Sequence, residues 1–99
     1  MNLRVAFSPE AQAHLDELED YIEKSSGSAL TAERYIGRLL KTCHSLRTLP
    51  FRGTSRDDMG SGVRTTGFER RVTILFEVQK EQILILGIFY AGRKFEGSR

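Results

Sequence analysis

The chain has 99 residues, of which 39% are hydrophobic and 28% charged, with a net charge of +2. That length makes one domain, residues 1–99, able to bury roughly 65% of its unfolded surface without disulfides, and the composition excludes disordered and membrane-spanning classes. The charge is uneven: residues 1–49 hold six Lys/Arg against seven Asp/Glu, whereas residues 50–99 hold nine against six, so an anionic partner is expected to meet the C-terminal half.

The N-terminus lacks a basic region followed by an apolar core, so no signal peptide is expected. Leu3, Val5 and Phe7 alternate with Arg4 and Ala6 and predict a short strand. Ser8-Pro9-Glu10 stops it, with serine as N-cap, proline at the first helical position and an acid placed against the helix dipole. A first helix is predicted from Pro9 to about Lys24, its stripe being Ala11, Leu15, Leu18 and Ile22. The acids Asp16, Glu17, Glu19, Asp20 and Glu23 cover its solvated side.

Gly27 suits a left-handed helix cap and Ser28 the next N-cap, which together predict a helical hairpin. The second helix, from about Ala29 to Thr48, carries Ala32, Ile36, Leu39, Leu40, Cys43 and Leu46 as its stripe. Cys43 reads as core. His44, about 100° around the helix, reads as surface, and so does His14, which has no second ligand at helical spacing. A single cysteine implies no disulfide framework, fits a cytoplasmic protein, and with the isolated histidines leaves no metal or cofactor expected.

Thr54 to Gly62 reads as the one long loop. Val63 to Phe68 can start a strand, with Gly67 permitting a turn or bulge into Glu69. From Glu69 to Tyr90 two strands flank the polar break Gln79-Lys80-Glu81-Gln82. A tight antiparallel turn there pairs Val78 with Ile83, Phe76 with Ile85, Ile74 with Gly87 and Val72 with Phe89, all on one apolar face. The opposite face then carries Arg71, Thr73, Leu75 and Glu77 against Tyr90, Ile88, Leu86 and Leu84. The fold class is therefore α+β: a small antiparallel sheet, in the order β-α-α-β-β-β, with an N-terminal helical hairpin on one face. Two helices cover one face only, so Leu75, Leu84, Leu86 and Ile88 are expected to form an open apolar patch unless helix ends or the tail fold over them.

The run AERYIGRLLKTCHSL (32–46) leading into Leu49-Pro50 and Gly53, then Arg56-Asp57-Asp58-Met59, Gly62-Val63-Arg64, the strand Arg71 to Val78, and Ile83 to Phe89 followed by Tyr90 and Arg93, resembles the ParE branch of the RelE/ParE toxin superfamily. These are the toxin halves of type II toxin–antitoxin pairs. The resemblance implies the sheet and hairpin already reached, inhibition of DNA gyrase by binding in place of catalysis, and a cognate antitoxin of the ParD kind with a ribbon-helix-helix module. For the antitoxin the expected contacts are Leu75, Leu84, Leu86 and Ile88, with Arg71 and Glu77 at the margins. For the target they are Arg64, Tyr90, Arg93 and Lys94, which place positive charge in the basic half.

The alternative is a RelE-like endonuclease that cuts messenger RNA on the ribosome. Cleavage without a metal needs a base, a proton donor and cations around the phosphate. Arg64, Arg71, Arg93 and Lys94 supply cations and Tyr90 a donor, but no base is evident. No catalytic residue is therefore assigned, and no direct nucleic-acid binding or membrane contact is expected.

Overall fold

The computed structural model describes residues 3–91. Strand β1 (Arg4–Phe7) leads into α1 (Pro9–Ser26) and α2 (Ala29–Ser45); then follow β2 (Thr54–Ser55), a 3-10 turn (Asp57–Met59), β3 (Val63–Phe68), β4 (Val72–Val78) and β5 (Gln82–Tyr90). The five strands order as β1-β5-β4-β3-β2. All neighbours are antiparallel except β1, which runs parallel to β5 at the edge.

Local chemistry sets the helix ends. The Ser8 hydroxyl accepts the Ala11 N–H at 3.0 Å, and Gly27, at φ 72°, closes α1 by giving its N–H to the Glu23 carbonyl. Ser28 caps α2 through the Thr31 N–H. The second helix stops at Ser45, earlier than Thr48, because residues 46–49 switch to bonds three residues back, Leu46 to Cys43 through Leu49 to Leu46. Thr54–Ser55, expected to be irregular, is a two-residue strand against Thr65 and Arg64.

The core lies between the helical stripes and one face of the sheet. Leu15, Leu18, Leu39, Cys43 and Leu46 meet Phe68, Val72, Ile74, Phe76, Ile83, Ile85 and Ile88, all nearly inaccessible to solvent. Burying each large side chain contributes about 1.5–3 kcal/mol.

The β4–β5 register departs from expectation at one place. Val78 pairs with Ile83 and Phe76 with Ile85 as expected, but Leu75, not Ile74, pairs with Gly87. Leu86 is left unpaired as a bulge, and beyond it every partner shifts by one: Ile74 meets Ile88, Thr73 meets Phe89 and Val72 meets Tyr90. Ile88 and Tyr90 are thereby turned to the helices, and Phe89 to the other face.

Candidate partner-binding site

Because cross-strand partners share a face, the register fixes the composition of the side away from the helices. One row runs Ala6, Leu84, Glu77, Val63; the next holds Gly87, Leu75 and Thr65; a third holds Phe89, Thr73 and Gly67, with Leu86 as the supernumerary residue. The Phe89 ring lies across Gly87, where an added Cβ would stand 2.8 Å from it. Leu75 is 7% exposed and Ile88 2%, while Leu84, Leu86 and Phe89 are half-buried. The expected patch is therefore corrected on two counts: Ile88 belongs to the core, and no member of the set stands fully open. What remains is a half-covered strip, Leu84 and Leu86, over a buried Leu75.

Polar groups rim this strip. The half-buried Glu77 accepts from Gln79 Nε2 at 3.2 Å, and Gln82 Nε2 donates to Gln79 Oε1 at 2.7 Å, so side-chain amides brace the β4–β5 turn. Arg71 is exposed at the other end, its carbonyl accepting the Ala91 N–H. It does not stand opposite Tyr90 as expected, since the bulge moves Tyr90 onto Val72.

The residues expected to meet a target are not brought together. Arg64 donates to the carbonyls of Phe51, Arg52 and Gly53 at 2.7, 3.1 and 3.1 Å, with its guanidinium 5.8 Å from the Phe51 ring. Its Nε and Nη2 donors close the segment after α2. Tyr90 packs on Tyr21 of α1, ring centroids 5.3 Å apart, on the helix side. Arg93 and Lys94 lie outside the described residues.

Several side chains have roles that periodicity did not disclose. His14, expected at the surface, accepts the Ile88 N–H on Nδ1 at 3.1 Å, its ring 5.3 Å from Phe89. Strand β1 pairs with β5 only as far as Ile85, so α1 takes over the edge: Ser8 Oγ donates to the Leu86 carbonyl, and His14 receives the next inward N–H. The signal available was the short span from Ser8 to His14 beside a strand longer than β1. Cys43 is buried, which pushes its thiol up to about 12, so it is a core residue and no nucleophile. His44 packs edge-on to Phe7 at 6.1 Å. Among the described residues, no group of three or more His, Cys, Asp or Glu is placed to hold a metal.

Arg38 of α2 grips Glu69 through Nε at 2.8 Å and Nη2 at 3.2 Å. The hydrogen bond from Arg38 holds the Glu69 carboxyl below its ordinary value of 4.5. A carboxyl depressed on folding stabilises above its unfolded pKa and loses that contribution as pH falls through the folded value. In an acid titration, the stability difference between the wild type and Glu69→Gln should be full at neutral pH and vanish below the folded pKa. A difference that persists unchanged into acid would show that the carboxylate's charge is not what matters.

The arrangement is that of an α+β domain with RelE/ParE-like topology, a helical hairpin closing one side of the sheet and a leucine strip on the other. The profile of the family described as "ParE toxin of type II toxin-antitoxin system, parDE" matches residues 5–95, and the chain belongs to that family, as the toxin component of such a system. A chain of the solved structure described as "Chromosomal ParDE TA system from P. aeruginosa" has the same fold, with a TM-score of 0.76 at 24% identity over 90% of this chain and 96% of that one. No curated protein matches. Among the described residues no helix is long and apolar enough to cross a membrane.

Proposed function

We propose that this toxin acts in the cytoplasm by binding DNA gyrase and blocking it, with no bond-making chemistry of its own. The observation that carries the reading is the commitment of the two described side chains best suited to phosphate chemistry. Arg64 has its Nε and Nη2 donors on three backbone carbonyls, and the Tyr90 ring packs tilted against Tyr21 on the helix side of the sheet. In this reading Arg64 shapes the 51–53 loop, and Tyr90 with Arg93 and Lys94 contributes to the gyrase-facing surface. Purified protein is expected to inhibit gyrase supercoiling without cutting RNA. Ribosome-dependent cleavage of messenger RNA that disappears in Tyr90→Phe would establish the endonuclease alternative instead.

The same proposal includes neutralisation by a ParD-like antitoxin carrying a ribbon-helix-helix module. Its C-terminal segment covers Leu84 and Leu86 above Leu75, with Glu77 and Arg71 as polar margins. Ile88 supports this strip from the core side. Leu86→Glu should leave the melting transition nearly unchanged, since Leu86 pairs with no residue of β4, and should weaken the antitoxin complex by about tenfold or more. Undiminished affinity in a pull-down or calorimetric titration removes the strip from the interface.

A further inference from the structure

The β3–β4 turn is held against the preference of its own backbone. Glu69 and Arg70 have φ of 49° and 68°, a left-handed conformation that is disfavoured for a non-glycine residue and that turns of this kind usually assign to Asn-Gly. Glycine is absent from both positions, so side chains are retained where the backbone disfavours them. The Glu69 side chain is committed to Arg38. That leaves the exposed Arg70 and Arg71 with no acidic partner among the described residues.

More positive charge lies alongside. A shallow groove between α2 and the end of β3 is lined by Arg38, Lys41, Phe68 and Glu69. With the exposed Arg70 and Arg71, the turn and groove together carry four cations and one carboxylate, in a chain whose whole net charge is +2. The three tyrosines of the chain gather here as well: Tyr21 on Tyr90, and Tyr35 edge-on to Phe68 beneath Arg38. Tyrosine and arginine are the residue types that concentrate binding energy at protein interfaces.

We propose that the Glu69–Arg71 turn and the adjoining groove are a docking surface for an acidic segment of a partner protein, whose carboxylates pair with Arg70, Arg71 and Lys41. Nucleic acid fits less well. Its affinity grows with the number of phosphates neutralised, and here one of the four cations, Arg38, is already paired with Glu69. A short acidic peptide ends within the patch. The inference is independent of what the toxin inhibits, and Arg70 and Lys41, unlike Arg71, lie outside the margin proposed for the antitoxin.

The test is fluorescence anisotropy with the full chain and a short fluorescein-labelled peptide alternating glutamate with leucine, compared with its glutamine counterpart and with a labelled oligothymidylate. The glutamate peptide should bind best, and Arg70→Gln with Arg71→Gln should weaken it about tenfold, whereas Arg4→Gln with Lys80→Gln, beside the β4–β5 turn at the opposite end of the sheet, should not. Arg70→Gly with Arg71→Gln relieves the turn and should lose binding while folding at least as stably, which separates docking from misfolding. The proposal is overturned if the Arg70/Arg71 variants bind like wild type, if the Arg4/Lys80 variant loses as much, or if oligothymidylate binds more tightly than the peptide.

Discussion

Phe76→Ala is expected to lower the unfolding free energy by about 3–5 kcal/mol, against the roughly 5–15 kcal/mol typical of a domain. Phe76 is inaccessible to solvent at the middle of β4, between Ile85 on one side and Arg64 on the other. It is the largest fully buried side chain of the core. Truncation leaves a void under both helices, because neighbours locked in two hydrogen-bonded ladders cannot close in. Urea denaturation followed by circular dichroism measures this, with an unchanged slope expected if only stability is altered. A loss below about 1 kcal/mol would mean that the sheet and hairpin are not organised around this ring.

Gly53→Ala is expected to be nearly as damaging, about 3 kcal/mol from left-handed strain and contact together. At φ 83° its added Cβ would stand 2.0 Å from the Thr65 carbonyl oxygen, a backbone atom that cannot move without breaking the β2–β3 and β3–β4 pairing. Gly27→Ala is the internal control: φ is similar, at 72°, but nothing lies within 4 Å of the new atom. That substitution should therefore cost only the conformational penalty, about 1 kcal/mol. Comparing the two melting curves isolates the contact. Equal losses would show that the segment after α2 rearranges freely despite the three bonds from Arg64.

Much of the architecture was legible from periodicity and caps. Ser8-Pro9, Gly27 and Ser28 marked the helical hairpin because each does a job few other residues can do, and the stripes of both helices fell where apolar spacing placed them. The alternation from Val72 to Val78 identified the buried face of β4. Strand β5 was harder. Ile83 to Tyr90 is apolar on both sides, so alternation carried no information about register, and the expected pairing ran straight through the bulge. Gly87 was the available signal, since glycine inside a strand often marks one. That single slip misplaced Ile88 and Tyr90 together.

The candidate site was legible only in part for a related reason. Leu75, Leu84 and Leu86 were placed correctly on the side away from the helices, but how far each is covered depends on neighbours distant in sequence, such as Phe89 folding over Gly87. Arg64 looked like a spare cation because its partners are backbone carbonyls, which every residue has and no sequence pattern displays. His14 escaped notice for the same reason, its partner being a main-chain N–H.

The unpaired position of Leu86 makes it dispensable to the β4–β5 ladder, though not to the contacts of β5 with α1. Excise that residue, and Ile85 still meets Phe76, Gly87 still meets Leu75, and each later couple stays matched, so the remaining eight residues of β5 would knit into an unbroken ladder. The insertion gives the sheet no additional rung, only one further leucine on its outward side and a carbonyl turned to Ser8. A shortened chain lacking it would keep the β4–β5 pairing while losing one outward-facing side chain and the bond to Ser8, and would have to re-seat β5 against His14.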